Sequence, residues 1–399
     1  MASSVHAACG ISGHDDAERA ADQVCSAIES GLGQPASLLI LCVSHAHAGS
    51  TAEIVRRCNE RLAPGTLVGA VGDGVVCGAI ESDAGPAVAA LALAGVEAEA
   101  FAFESPDEAA SVLPSTTPAF FFADTASIPS TAMVASMNER SSPLLGGCVS
   151  AGHAAGESGL LVLNGDIHHR GVVGVRLTDP SLEVSSLVSQ GCRAVGGDFV
   201  ITKASRNIIY QLGGRPAVQV LRDLLEQQPG EVRRAARSGV LIGRVVNEYL
   251  PAFGRGDYLI REIARVLPEQ DALALNDLVR VGQTVRFHVR DRTTAHEDLA
   301  MLLDVQKLHA PPLAALTLIG EARGKRLFGA PNHDAHAISS AFGQSTPGPE
   351  LAKPGKPIDT GLGSLAMAGL FCRGEIACVG GTPALHTHSV CSLMLRTSR

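Results

Sequence analysis

Several short stretches place groups capable of binding chemistry beside glycines at the ends of apolar runs. Arg373-Gly374-Glu375 follows a run ending at Phe371. A glycine there lets the backbone approach a bound molecule closely, and Glu375 offers an acceptor for an amino group. The alternative is a charged residue in a turn that caps a neighbouring helix, and the residues leave both readings open. Gly69-x-x-Gly72-x-Gly74 follows another apolar run. Its turn amides could cradle a carboxylate, but a dinucleotide fingerprint needs G-x-G-x-x-G opening a helix. The spacing here is reversed, and a tight turn is the favoured reading.

Arg290-Asp291 stands at a strand-to-helix junction. Asp291 reads as an N-cap, while Arg290 either grips a ligand carboxylate through two hydrogen bonds or pairs internally with Asp291 or Glu297. Asn332-His333-Asp334-x-His336 carries metal-capable groups, and a helix would bring His333 and His336 to one face. A third ligand at fixed spacing is missing, so no metal site is expected. His45-x-His47 at a strand end would point both rings to one face, again with a polar, non-metal reading favoured. Gly146-Gly-Cys148-Val-Ser150 is like a nucleophile elbow without the glycine that motif requires at position 148. No Cys–His–Asp order is legible elsewhere.

These groups need elements to hold them. Ala17, Ala21, Val24, Cys25 and Ile28 recur at helical spacing over Asp15–Ser30, with Gly31 ending the run. Ser37–Val43 reads as a buried strand, Gly49–Leu62 as a helix and Thr66–Ala70 as a second strand, an α/β order. Strands are also expected at Pro86–Leu93, Ala98–Glu104, Ala119–Ala123 and Leu182–Val188. Asn164-Gly165 between apolar runs predicts a hairpin, since both residues accept positive φ. Pro216 starts a helix, Ser238–Val246 and Val281–Val289 read as strands, and a helix follows from Asp291, with capping-box spacing at Thr294 and Glu297. Pro312–Ile319, Leu365–Phe371 and Val390–Leu395 complete the strands, and Ser345–Gly361 reads as a surface loop. No short-period repeat is visible.

Composition narrows the classes. The 399 residues are 46% apolar and 18% charged, as in a globular chain of two or three domains. Net charge is −8 with no basic stretch, which argues against a nucleic-acid partner. Ten cysteines are spread singly without a CxxC pair, which fits reduced, buried thiols in a cytosolic protein. No secretory signal or membrane-length apolar run is seen, so a cytoplasmic location without membrane contact is expected.

Four C-terminal segments resemble the FIST pattern: Ser189–Gly196 with Gln211–Ala217, Gly282–Asp291, Arg323–Gly329 with Pro331–Asp334, and Ala368–Ile376 with Leu385-His386. Val43–His47 and Leu67–Gly74 resemble the companion N-terminal segment. Similar proteins often carry a cysteine just before the Arg-Gly pair, where this chain has Ile319-Gly-Glu-Ala322. The resemblance implies a sensory protein that binds a small ligand, with amino acids among the ligands suggested, and no catalytic or redox cofactor.

The fold expected is mixed α/β (α+β) in two lobes, each a mixed β-sheet flanked by helices. Residues 1–35 would form a lead-in, 36–215 an N-terminal domain and 216–399 a C-terminal one. A small polar metabolite would meet Gly72, Gly74, Arg290, Arg323, Asn332, Glu375 and His386, and a signalling protein would be the downstream partner. The alternatives are a cysteine- or histidine-dependent hydrolase using the same cleft, and a scaffold acting through a protein partner.

Overall fold

A computed structural model of the chain describes residues 5–150, 158–343 and 365–398. The loop expected at Ser345–Gly361 lies outside the described residues. The class is mixed α/β, in two compact units: Met1–Val188 with Ala300–Arg399, and Ser189–Leu299. The division near residue 215 that the sequence suggests falls inside the second unit, at the two-residue strand Arg215–Pro216.

The first unit is built three times over on one plan. In the first repeat, Leu38–Ser44 and Thr66–Gly72 run parallel, joined through helix Thr51–Leu62. Val88–Ala94 lies antiparallel beside Leu38–Ser44, and His6–Ser12 lies antiparallel beyond it. The second repeat has Ala119–Asp124 parallel to Leu144–Val149, then Val172–Leu177 and Ala98–Phe103 in the same places. The third has Ala314–Gly320 parallel to Ala366–Cys372, then Val390–Thr397 and Leu182–Ser189.

Each repeat completes its six-stranded sheet with a hairpin lent by another. Gly74–Cys77 and Ile80–Ser82 leave the first repeat and pair on the third. Gly374–Val379 and Thr382–His386 leave the third and pair on the second. Leu161–Leu163 and Asp166–His168 leave the second and pair on the first. The exchange is a closed threefold cycle. The predicted Asn-Gly hairpin is the third of these, with Asn164 at φ 50° and Gly165 at φ 101°.

The sequence hides this triplication because the repeats share a physical pattern rather than identities. LLILCVS, AFFFAD and AALTLIG occupy equivalent strands, and every residue of each is buried. Strands covered on both faces need only be apolar and of matching volume. The partner strand is rich in small residues where backbones crowd. A Cβ at Gly369 would lie 1.5 Å from the Thr317 carbonyl oxygen, so no larger residue fits there. Helix Ala17–Leu32 covers the first sheet with Ala20, Ala21, Val24, Cys25 and Ile28. Asp16 caps its start through the Arg19 amide, and the left-handed Gly33, two residues beyond the expected Gly31, ends it.

The second unit is inserted in the third repeat's sequence, after Leu182–Ser189. Its strands are all antiparallel, in the order Cys192–Ser205, Thr284–Arg290, Val240–Val245, Tyr258–Leu267, Ala272–Leu275 and Ile208–Leu212. The last pairs back on the first and closes a six-stranded barrel. A mixed sheet was expected here. Closure follows from the 14-residue strand Cys192–Ser205, which pairs on both sides. Its register shifts between Val195 and Phe199, where Gly196 takes φ 69° and bends the strand. Ala217, Val220 and Leu221 of helix Ala217–Glu226 share one core with Ile201, Ile242, Leu273 and Phe287.

Candidate functional site

The parallel strands of the first unit end at turns where little but glycine fits. Thr66–Gly72 and the hairpin strand from Gly74 are separated by Asp73 alone, and Ala366–Cys372 and the strand from Gly374 by Arg373 alone. A Cβ at Gly72 would stand 2.7 Å from the Phe371 oxygen, and one at Gly74 would stand 2.3 Å from the Ser82 oxygen. Both glycines are thus needed by the crossing of strands. The Asp73 amide donates to Phe371 O at 3.1 Å, and the Arg373 amide donates to Cys148 O at 3.1 Å. The two linking residues therefore meet: Arg373 Nε lies 3.8 Å from Asp73 Oδ2, with side chains 25% and 19% exposed. At that distance the contact is Coulombic rather than hydrogen-bonded, and worth at most about 1 kcal/mol.

Glu375 lies two residues on and is fully buried. It accepts from the Ser389 hydroxyl at 2.5 Å and the Ser389 amide at 3.2 Å. His386 is its cross-strand neighbour in the hairpin, and His386 Nε2 lies 3.3 Å from Ala377 O. The thiols of Cys148, Cys372 and Cys391 all feel the Glu375 charge. Burial and then that charge raise all three, Cys148 to about 12. Cys148 sits in the buried strand Leu144–Val149, not on an exposed elbow, and a Cβ at Gly146 would strike the Phe121 ring. A protonated, buried thiol is the reverse of an activated nucleophile.

Arg323 and Asn332 form a second, buried cluster in the same unit. Arg323 grips Asp334 through Nε–Oδ2 at 2.6 Å and Nη2–Oδ1 at 2.9 Å, and both side chains are fully buried. Glu81 lies beside them. Its Oε1 accepts from the amides of Asp334 and Ala335 at 2.8 Å each, and its Oε2 from the Asn332 amide at 3.1 Å. The Oδ1 of Asn332, a residue at φ 70°, accepts in return from the Glu81 amide at 2.7 Å. Glu81 from the lent hairpin thus caps helix His333–Phe342 of the third repeat. Burial, and next the Asp334 charge, push Glu81 up to about 7. Burial also works to raise Asp334, but Arg323 and His333 outweigh it and hold that carboxyl down at about 2.

The remaining expected groups fall elsewhere. Arg290 belongs to the barrel unit, at the end of Thr284–Arg290, with Nη2 3.7 Å from Cys192 Sγ. Asp291 caps the following helix through the Thr294 amide at 2.9 Å, and its ion partner is Arg193 at 3.4 Å rather than Arg290. The cap is therefore Asp291 and not a Thr294–Glu297 box. His45–Ser50 is a short 3₁₀ helix directly after the strand Leu38–Ser44, so residues two apart do not share a face. The ring of His47 is buried, with Nε2 3.0 Å from His14 O. His333 stacks on Phe328 at 3.4 Å and bonds Asp334. A hollow of about 340 Å³ lies away from these strand ends, between Ile28, Leu32, Pro35, Arg61 and Leu62. Its one cation, Arg61, is already paired with Glu29 at 2.5 Å and Asp22 at 3.1 Å.

The structure thus joins Gly72, Gly74, Glu375 and His386 around one set of strand ends, and Arg323 with Asn332 in another cluster. Sequence reasoning missed Asp73, Glu81 and Ser389, and took Asp334 only as one of several metal-capable groups. One signal was available: a polar residue followed by glycine closes both Val71-Gly-Asp73-Gly74 and Phe371-Cys-Arg373-Gly374.

Comparison with known proteins agrees with the segments singled out above. The FIST N domain matches residues 37–215 and the FIST C domain residues 217–378. An uncharacterized protein of Mycobacterium tuberculosis is 31% identical over 393 residues, covering 94% of this chain and 96% of its own. An uncharacterized protein of Mycobacterium bovis is 31% identical over the same length, covering 94% and 95%. Among the described residues no helix is long and apolar enough to cross a membrane.

Proposed function

The chain belongs to the FIST family, whose domains are associated with sensory signal transduction, and from that premise we propose that it binds a small polar metabolite as its signal. The site would lie at the carboxyl ends of the parallel strands in the first unit, the place where open parallel sheets commonly hold ligands. Amino acids are the class to screen first, because one carries both charges that Asp73 and Arg373 complement.

The observation that supports this reading is the loose Arg373–Asp73 contact at 3.8 Å, partly open to solvent and rimmed by Gly72, Gly74 and Gly374. A dipolar ligand entering there could form charge-assisted hydrogen bonds with both side chains. Binding would act as a signal in proportion to its preference for one conformation of the protein over another. A thermal-shift screen of the full chain against the amino acids and common metabolites, with native mass spectrometry of freshly purified protein, tests it. At least one compound should raise the melting temperature by several degrees at saturating concentration. A chain that neither retains a small molecule nor shifts with any compound would exclude the role.

A further inference from the structure

We propose that the ligand is read by one residue from each repeat, at the position directly after its second parallel strand: Asp73, Ser150 and Arg373. This rests on the ligand-binding reading above and adds which side chains do the selecting.

Connectivity places the three together. Gly74 pairs with Phe371, and Gly374 pairs with Cys148. The Asp73 amide donates to Phe371 O and the Arg373 amide to Cys148 O, each one residue out of step with those pairs, so a bulge sets Asp73 beside Gly74 opposite Phe371 and Arg373 beside Gly374 opposite Cys148. Arg373 therefore opposes Cys148, two residues before Ser150 on the same chain, and its Nε lies 3.8 Å from Asp73 Oδ2. A scaffold of three like parts would by itself present three like groups. Here the equivalent positions hold a carboxylate, a hydroxyl and a guanidinium, so a symmetric frame carries an asymmetric polar triad. Asp73 suits a cationic donor, Arg373 a planar anion taken bidentately, and Ser150 a neutral group that donates or accepts. The ligand class is a small zwitterion whose ammonium and carboxylate are borne on one carbon. A singly charged analogue would engage only one of Asp73 and Arg373, which disfavours it.

The experiment uses the full-length protein and, as probes, the amino acid giving the largest thermal shift, its methyl ester and its N-acetyl derivative. Affinities are measured by calorimetry for wild type, Asp73→Asn, Ser150→Ala, Arg373→Gln and Arg373→Lys, each checked by circular dichroism without ligand. The parent amino acid should bind wild type, and both blocked derivatives should bind about tenfold to a hundredfold more weakly. Asp73→Asn and Arg373→Gln should lose a similar factor, with Arg373→Lys between wild type and Arg373→Gln. Equal affinity for the parent and both derivatives, or undiminished binding by Asp73→Asn and Arg373→Gln, overturns this assignment and leaves the sensory reading standing. Absence of any shift from the whole amino-acid panel overturns this assignment, and absence of a shift from every other metabolite, with no retained small molecule, overturns both.

Discussion

Replacing Glu81 by Gln should change how the stability of the first unit depends on pH. Glu81 is fully buried and its carboxyl is pushed from an ordinary 4.5 up to about 7. The native state therefore holds a proton that the unfolded chain has released between those values. Stability from this group is complete below about pH 4.5 and is lost as pH rises through about 7. At about 1.36 kcal/mol per pH unit the loss is about 3 kcal/mol. Glutamine has nearly the same shape. Its carbonyl oxygen can still accept from the Asp334 and Ala335 amides, while its amide nitrogen forfeits the Asn332 bond at a roughly pH-independent cost of about 1 kcal/mol. The stability difference, E81Q minus wild type, should therefore rise by about 3 kcal/mol from about pH 4.5 to about pH 8. Taking the difference cancels every other titrating group, including Asp334, whose lowered carboxyl acts in a window below 3.8 and with the opposite sign. The probe must sense the first unit. The chain has no Trp, and its tyrosines, Tyr210, Tyr249 and Tyr258, all lie in the barrel unit. Urea titrations followed by hydrogen exchange in the strand Ala366–Cys372 meet that need. A difference that stays level over this pH range would refute the reasoning, because Glu81 would then be charged throughout at no cost.

Three further outcomes follow from the same geometry. Arg323→Met leaves two buried carboxylates without their cation and should destabilise the first unit by about 3–5 kcal/mol in urea unfolding near neutral pH, with part of the loss recovered on acidification. In the barrel, burial lowers His288 from 6.5 to about 4, so the stability it supports above pH 6.5 should fall by about 3 kcal/mol as pH drops to about 4; tyrosine fluorescence reads it, and His288→Phe should abolish the dependence. Gly369→Ala forces a Cβ to 1.5 Å from Thr317 O and should cost about 3 kcal/mol or more by chemical denaturation, whereas Gly197→Ala, with open space at its Cβ, should change stability by less than about 0.5 kcal/mol.

Most strands and the longer helices were legible because their residues obey simple periods. Leu38–Ser44, Thr66–Gly72 and Ala314–Gly320 announce themselves as short unbroken apolar runs. Strand Leu144–Val149 does not, because Gly146 and Gly147 lower its apparent propensity, and the reason for Gly146 is the Phe121 ring on the neighbouring strand. The partners of the lent hairpins were unreadable for a similar reason: Gly74–Cys77 pairs with Ala366–Cys372, nearly three hundred residues away, and nothing local records that partner. The site divides along the same line. Glycines and charges at strand ends could be picked out one by one. That Asp73 faces Arg373 depends on three separate registers, and that Arg323 is bound to Asp334 depends on a helix whose cap comes from another repeat.

The borrowing of hairpins has a consequence for how this chain is made. During synthesis the first repeat emerges with two of its sheet positions vacant until residues near 168 leave the ribosome. The second waits for Gly374–His386, and the third provides its own last strand only at Val390–Thr397. The second and third sheets cannot be completed until Gly374–His386 and Val390–Thr397 have been made. A nascent or prematurely terminated chain would therefore display unpaired apolar strands for most of its translation, an aggregation hazard that chaperones commonly manage.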